Sequence, residues 1–563
     1  MSGRAGPFLH QYFLGGGRNA FLRDGADSER PPLREERSWY PRCPVGTGNP
    51  WWYSRSTLPG RRRPSLARRS RALSVLSAEV MGANQGENCR HYRGAIVRRA
   101  STGGCPHMTW NIARTSKVNP PAVLYLVLLA TLVLPSYMVL PAFGASGSAG
   151  QVLAVGTFLL WLVASGLGLH NPMPFGHPGR AAMLFWIIAS CASYAAMFAG
   201  FSGGNDAAGR AGADRWLILL LAGAGVTLLT TETVRSVESV KSLVRWVMAG
   251  AAFCCVVALA QFALRINPME WVASMMVGFE DNGSGTAFQA REAFMRVAGT
   301  TMHPIELGVV CSMLLPLAIW WSLFDSAARK SARVLLPILI FAGNVITVSR
   351  TGLIGLAIAA LILIPYLPDL ARRWAMVVVP LGIVSLFLLV PGMVSTLFSS
   401  ATAGSSDSSI TYRTDDYPLA WQLFFDRPWL GLGPGSWLPI DAKDIFDNQY
   451  LLTIATMGGI GLAALLAYFL APLFASLTAA HHAKTPETRV LAGAVGAAML
   501  VAAVSAGTFD ALSFQTFALL CPFFVGLSGV VWLLVKDQLS YHTMASVPPP
   551  ERRRTGEGTK WTR

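Results

Sequence analysis

The chain has 563 residues, 52% of them hydrophobic and 13% charged, with a formal net charge of +16. A soluble globular protein carries about 25% charged residues, so this composition excludes an ordinary cytosolic enzyme and a disordered scaffold and points to a polytopic membrane protein. In such a protein the positive excess reads first as loop charge on the cytoplasmic side, not as a nucleic-acid footprint.

Residues 1–107 hold 18 Arg, no Lys and 7 acids, so they carry +11 of the +16. They include Arg61-Arg62-Arg63, Arg68-Arg69 and Arg98-Arg99 and show no sustained apolar period. Such a segment buries too little apolar surface to offset the entropy of ordering and is expected to be disordered. Three readings stand side by side. One is a basic cytoplasmic tail touching anionic lipid or RNA. Another is a targeting segment, although no apolar core precedes a cleavage site. The third is a translation start further along, at Met81 or Met108. No function is assigned to this segment.

Beyond it, apolar runs of span length recur. They cover about 121–143, 150–168, 180–201, 216–233, 244–264, 303–324, 333–349, 351–367, 375–399, 449–475, 488–506 and 514–535. The expected fold is all-α, with about 12 transmembrane helices and a large extracytoplasmic loop between helices 9 and 10. With the N-terminus inside, the inner loops carry Arg235 and Lys241, Arg329 and Lys330, Arg372 and Arg373, and Lys484. The tail carries Arg552, Arg553 and Arg554. This matches the positive-inside rule and puts both termini in the cytoplasm. The membrane domain is expected over 108–540, with outer loops 265–302 and 400–448, and a disordered basic tail over 541–563. Of the eight cysteines, Cys43, Cys89 and Cys105 lie in the first segment. Cys191, Cys254, Cys255, Cys311 and Cys521 lie in apolar runs. Neither a disulfide framework nor a zinc site is expected.

The two long outer loops hold the residues with chemical potential. Arg296-Val297-Ala298-Gly299-Thr300-Thr301-Met302-His303-Pro304 ends at the entry of a span, with Pro304 suited to a first helical turn. Arg296 offers a planar fork for phosphate oxygens, against a bland reading as a lipid-headgroup contact. His303 reads equally as a helix cap. Ser349-Arg350-Thr351-Gly352 puts a charge inside apolar sequence, which is costly unless it is paired or faces a cavity. The second loop contains Arg413, Trp421, Asp426-Arg427-Pro428-Trp429, Gly431-Leu432-Gly433-Pro434-Gly435 and Asp447-Asn448-Gln449-Tyr450-Leu451. Gly433 and Gly435 allow positive φ and close approach to a ligand. The pattern is neither a Walker loop nor a dinucleotide fingerprint. Asp447 reads as a general base or as a structural carboxylate at a helix start. Clustered Arg near the interface suits a lipid-linked diphosphate. Aromatic faces and carboxylates suit sugars.

The ordered set Arg296 to Pro304, Ser349 to Gly352 and Arg413 to Gly461 resembles the O-antigen ligase / Wzy-type polymerase superfamily, over roughly residues 120–535. The resemblance implies an inverting, metal-independent glycosyl transfer at the outer face of the bacterial inner membrane, without a cofactor. Its donor would be an undecaprenyl-diphosphate-linked oligosaccharide in membrane lipid, with a flippase and a chain-length regulator as functional neighbours. Arg296 and Arg413 would bind the diphosphate and stabilise the leaving group, and Arg350 would support the same pocket. His303, Asn448, Tyr450, Trp421, Gly433 and Gly435 would line the substrate site. Asp447 stands where many ligases carry His, and Thr456-Met457 where a Glu often precedes the glycines. That favours exopolysaccharide or O-antigen polymerisation. The alternatives are an O-antigen ligase proper, or a transporter (a flippase or a bicarbonate factor) with no glycosyl transfer.

Overall fold

The structure is a computed structural model. It describes residues 120–169, 176–201, 204, 206–283, 285–291, 294–389, 408–439 and 444–545, all within one compact unit. The expected disordered segment 1–107 and most of the basic tail lie outside them.

Among the described residues there are fourteen α-helices and two small antiparallel strand pairs. In chain order the helices are α1 Ala122–Val133, α2 Ala149–Gly166, α3 Pro178–Phe198, α4 Ala207–Thr233, α5 Val237–Leu264, α6 Met269–Met275, α7 Pro304–Phe324, α8 Lys330–Val345, α9 Arg350–Leu363, α10 Asp369–Leu389, α11 Ser408–Asp426, α12 Gln449–His482, α13 Pro486–Ser505 and α14 Gln515–Ala545. Strand β1 (Met138–Val139) pairs with β2 (Glu280–Asp281), and β3 (Phe288–Arg291) with β4 (Phe294–Val297). Polar side chains fix many of the starts. Ser148, Asp206, Ser236, His303, Ser349, Asn448 and Thr485 each accept a backbone N–H of the helix they open.

Eight of these helices are long and apolar enough to cross a membrane, namely α2–α5, α7 and α12–α14. The chain is a multi-pass membrane protein. Each of the twelve expected runs contains a helix, but the bounds differ for local reasons. The first run, expected over 121–143, is helical only to Val133, because Pro135 follows and the chain turns into β1. The runs 333–349 and 351–367 are separate helices, parted by a turn in which Val348 takes φ 47°. The stretch 400–448 is not wholly loop, since α11 forms within it.

The interior is built on α7, α13 and α14, whose apolar windows are mostly buried. Small residues on α13 let α12 and the turn after α9 approach it. A Cβ on Gly493 would stand 2.8 Å from the Tyr366 ring, and one on Gly496 2.8 Å from Leu477. By contrast, α2 exposes Leu159, Leu160, Leu162 and Val163, the signature of a lipid-facing helix.

Ion pairs gather several expected inner loops at one end. Lys241 meets Glu487 at 2.5 Å, Arg245 holds Asp325 through two contacts of 2.5 and 2.8 Å, and Arg180 meets Glu232 at 2.6 Å. The starts of α7, α9, α12 and α14 meet at the opposite end, with the ends of α8 and α13.

Candidate active site at the capped end of the bundle

Arg296 is built into β4, directly across from Gln289 of β3. Its Nη1 donates to Gln289 Oε1 at 2.9 Å and its Nε to the Thr347 carbonyl at 2.9 Å. Only 5% of the residue is exposed. One guanidinium therefore ties the hairpin to the α8–α9 turn. Asn344 braces the helices below that turn, with Nδ2 donating to the Gly308 carbonyl at 2.6 Å and to Ser312 Oγ at 2.9 Å. Ser349 then caps α9, and Arg350 occupies its first helical position. An Arg there opposes the helix dipole, an arrangement that an anion at the same place would relieve.

His303 caps α7. Its Nδ1 accepts the Ile305 N–H at 3.1 Å, which leaves the ring proton on Nε2. Burial, and then the positive charge of Arg296, push its pKa down to about 4. At neutral pH His303 is thus a neutral ring beside a guanidinium.

The α9 start continues across to the α13–α14 loop, where Thr351 Oγ1 donates to Thr508 Oγ1 at 3.1 Å. Two residues on, Asp510 lies close enough to feel the charge of Asp447. Burial, and then that like charge, push the Asp510 pKa up to about 7. Asp447 itself is exposed, directly before the Asn448 cap. Arg350 thus directly precedes Thr351 at one end of this hydrogen bond, and Asp510 follows Thr508 by two residues at the other.

Several expected site residues have structural partners. Asn448 Oδ1 accepts the Tyr450 and Leu451 N–H groups, and the Tyr450 hydroxyl donates to the Ala503 carbonyl at 2.6 Å. Gly433 and Gly435 do take positive φ, 122° and 69°. That freedom serves packing. A Cβ on Gly433 would run into Met197, and one on Gly435 into the Gly212 carbonyl, while the Gly433 N–H donates to Thr456 at 2.8 Å. The glycine loop fills the break in α12 at Gly458, whose own Cβ would lie 2.5 Å from the Trp429 backbone. Trp421 stacks on Phe425 at 5.7 Å on an exposed face of α11. The backbone of Arg413 is part of α11, but its side chain lies outside the described residues.

Two acids escaped the sequence reading. Asp510 sits in a short loop with no motif around it. Glu306, fully buried in the first turn of α7, accepts the N–H groups of Met302, Thr516 and Phe517. An acid inside an apolar run was the available signal for Glu306.

Residues 335–466 match the family model Wzy_C, described as O-antigen ligase. Over this segment, less than a quarter of the chain, the protein is similar to the O-antigen ligase / Wzy superfamily. A comparison of the whole chain with curated proteins gives no match. The O-antigen ligase segment runs from α8 into α12 and takes in Arg350, Arg413, Asp447 and the glycine loop. Arg296, His303 and Asp510 stand outside it, yet contacts and charge link them to it.

Proposed function

We propose that the protein is a membrane glycosyltransferase that extends an undecaprenyl-diphosphate-linked glycan at the outer face of the bacterial inner membrane. The observation that supports it best is the Arg296–Thr347 contact. It carries a buried guanidinium from the first outer loop to the turn that presents Arg350. With Arg413, these groups would hold the diphosphate and stabilise its charge as the bond to the sugar breaks. An acceptor hydroxyl would attack the anomeric carbon from the opposite side, inverting it and releasing the lipid diphosphate. The proton of that hydroxyl would pass to Asp447, with Asp510 as its carboxylate neighbour. His303, with a proton on Nε2, would donate a hydrogen bond to substrate. No metal enters this scheme.

Polymerisation is favoured over transfer to a lipid core because Asp447 occupies the place where the ligase pattern has His. A flippase to deliver the donor and a chain-length regulator to limit the product would act beside it. The discriminating experiment offers the purified protein in vesicles one lipid-linked donor with two acceptors, a second lipid-linked repeat and a lipid A core. A ladder of lipid-linked products is expected. Exclusive labelling of the core would instead make it a ligase.

A further inference from the structure

The described part of α11 has two faces. The inner one, with Leu419, Ala420 and Leu423, packs on Leu451, Leu452, Ala455 and Phe446. The outer one carries Tyr417, Trp421 and Phe425 at successive helical turns and leads to Trp429 just beyond the helix. These four are 45%, 46%, 73% and 71% exposed. A helix capping a protein in water turns polar residues outward. This one turns out large aromatics.

What covers them follows from where the face leads. Below Trp429 lies Ile460, whose N–H donates to the Trp429 carbonyl at 3.3 Å. Ile460 opens the exposed stripe of α12, which continues through Ala463 and Leu466 to Phe474. That stripe belongs to a helix long and apolar enough to cross the membrane, so its cover is lipid. Depth agrees. From His482 back to Gly459, α12 rises roughly 36 Å at about 1.5 Å per residue. The hydrocarbon core is about 30 Å thick. Trp429 and Phe425 therefore stand at its far boundary, where Trp and Tyr concentrate in membrane proteins. Arg427, half-buried between them, is placed to reach headgroup phosphates.

We propose that the face formed by Tyr417, Trp421, Phe425 and Trp429 docks in the headgroup layer of the bilayer, so that α11 lies at the lipid boundary and not in the water above it. Trp421 then contacts lipid in place of the sugar contact expected for it. This inference rests on the membrane-crossing helices and not on glycosyl transfer, so its failure would leave the proposed activity standing.

Nitroxide scanning tests it. In the full chain, with Cys43, Cys89, Cys105 and Cys191 replaced by Ser, a spin label is placed through Trp421→Cys, Phe425→Cys, Trp429→Cys or Gln422→Cys. Each protein is reconstituted in phosphatidylethanolamine/phosphatidylglycerol vesicles. Collisions with oxygen, which partitions into lipid, are compared with collisions with a water-soluble nickel chelate. Labels at 421, 425 and 429 are expected to favour oxygen several-fold over the label at 422. Equal chelate access at all four positions would overturn the proposal. So would dipolar broadening at 425 that vanishes on dilution with unlabelled protein, which would assign the face to a second copy of the chain.

Discussion

Arg296 Nε donates to the carbonyl oxygen of Thr347 at 2.9 Å, across 51 residues of chain. Through this bond a guanidinium from a hairpin in one loop reaches the turn that starts α9. Arg296→Ala leaves the Thr347 carbonyl and Gln289 without their donor. Stability should fall by about 1–3 kcal/mol, the usual cost of orphaned buried groups. Arg296→Lys keeps the charge but not the two-pronged geometry, and should recover part of the stability and little of the transfer activity. Thermal melts of the purified variants beside activity would separate the two effects.

The carboxylate pair and His303 give opposite pH dependences. Asp510 holds its proton to about pH 7 in the fold, against an ordinary carboxyl value of 3.8. The folded state binds the extra proton between those values. Its stabilising contribution is full below about 3.8 and is lost as pH rises through about 7. His303 is depressed from 6.5 to about 4. Its contribution is full above about 6.5 and is lost as pH falls through about 4. Between about pH 4 and 6.5 these two slopes oppose and largely cancel, so the melting temperature of the native chain should vary little there. Asp510→Asn should leave the His303 slope, a fall in melting temperature as pH drops from about 6.5 to about 4. His303→Asn should leave the Asp510 slope, a fall as pH rises toward about 7. Asp447→Asn should weaken that second fall less than Asp510→Asn does, because burial outranks the like charge.

Gly458 takes φ 65° at the break in α12, and a Cβ there would meet the Trp429 backbone at 2.5 Å. Gly458→Ala should cost at least about 2 kcal/mol, combining a left-handed backbone with a clash against main chain. Gly156 in α2 has nothing within 4 Å of a Cβ and no positive φ. Gly156→Ala should be neutral or stabilising, by up to about 1 kcal/mol. Denaturation in one detergent would compare the pair.

Much of the fold was legible because lipid imposes long apolar runs, and each of the twelve contains a helix. Arg350 stood out because a charge interrupting such a run is rare, and Arg296 and His303 because they sit where a long outer loop enters a span. The glycine loop was read as ligand-facing because positive φ is visible in composition, whereas its partner, the α12 break at Gly458, lies more than twenty residues away and is apparent only once the chain folds. Asp510 was invisible for a similar reason. Its perturbation comes from burial and from Asp447, 63 positions earlier, and neither leaves a local pattern. Asn448 and Tyr450 belong to a motif whose chemistry looked like substrate binding, but their polar atoms cap α12 and join it to α13.

At the opposite end, Asp325 is almost wholly buried and is held by Arg245. Arg245→Ala strands that carboxylate. The pair is partly open on the Arg245 side, so the loss should be about 1–3 kcal/mol, below the figure for a fully buried pair. The double variant with Asp325→Ala should recover part of it, which a double-mutant cycle of melts would read.

The central claim is that the basic residues at the capped end drive departure of a lipid diphosphate. Its most direct measurement is release of undecaprenyl diphosphate from a defined lipid-linked oligosaccharide by purified protein in vesicles, for the native chain, Arg296→Ala and Arg350→Ala. The account predicts one lipid diphosphate released per glycosidic bond formed by the native chain, and a fall of about a hundredfold or more in each variant. Release at the native rate from correctly folded Arg296→Ala and Arg350→Ala proteins would contradict it.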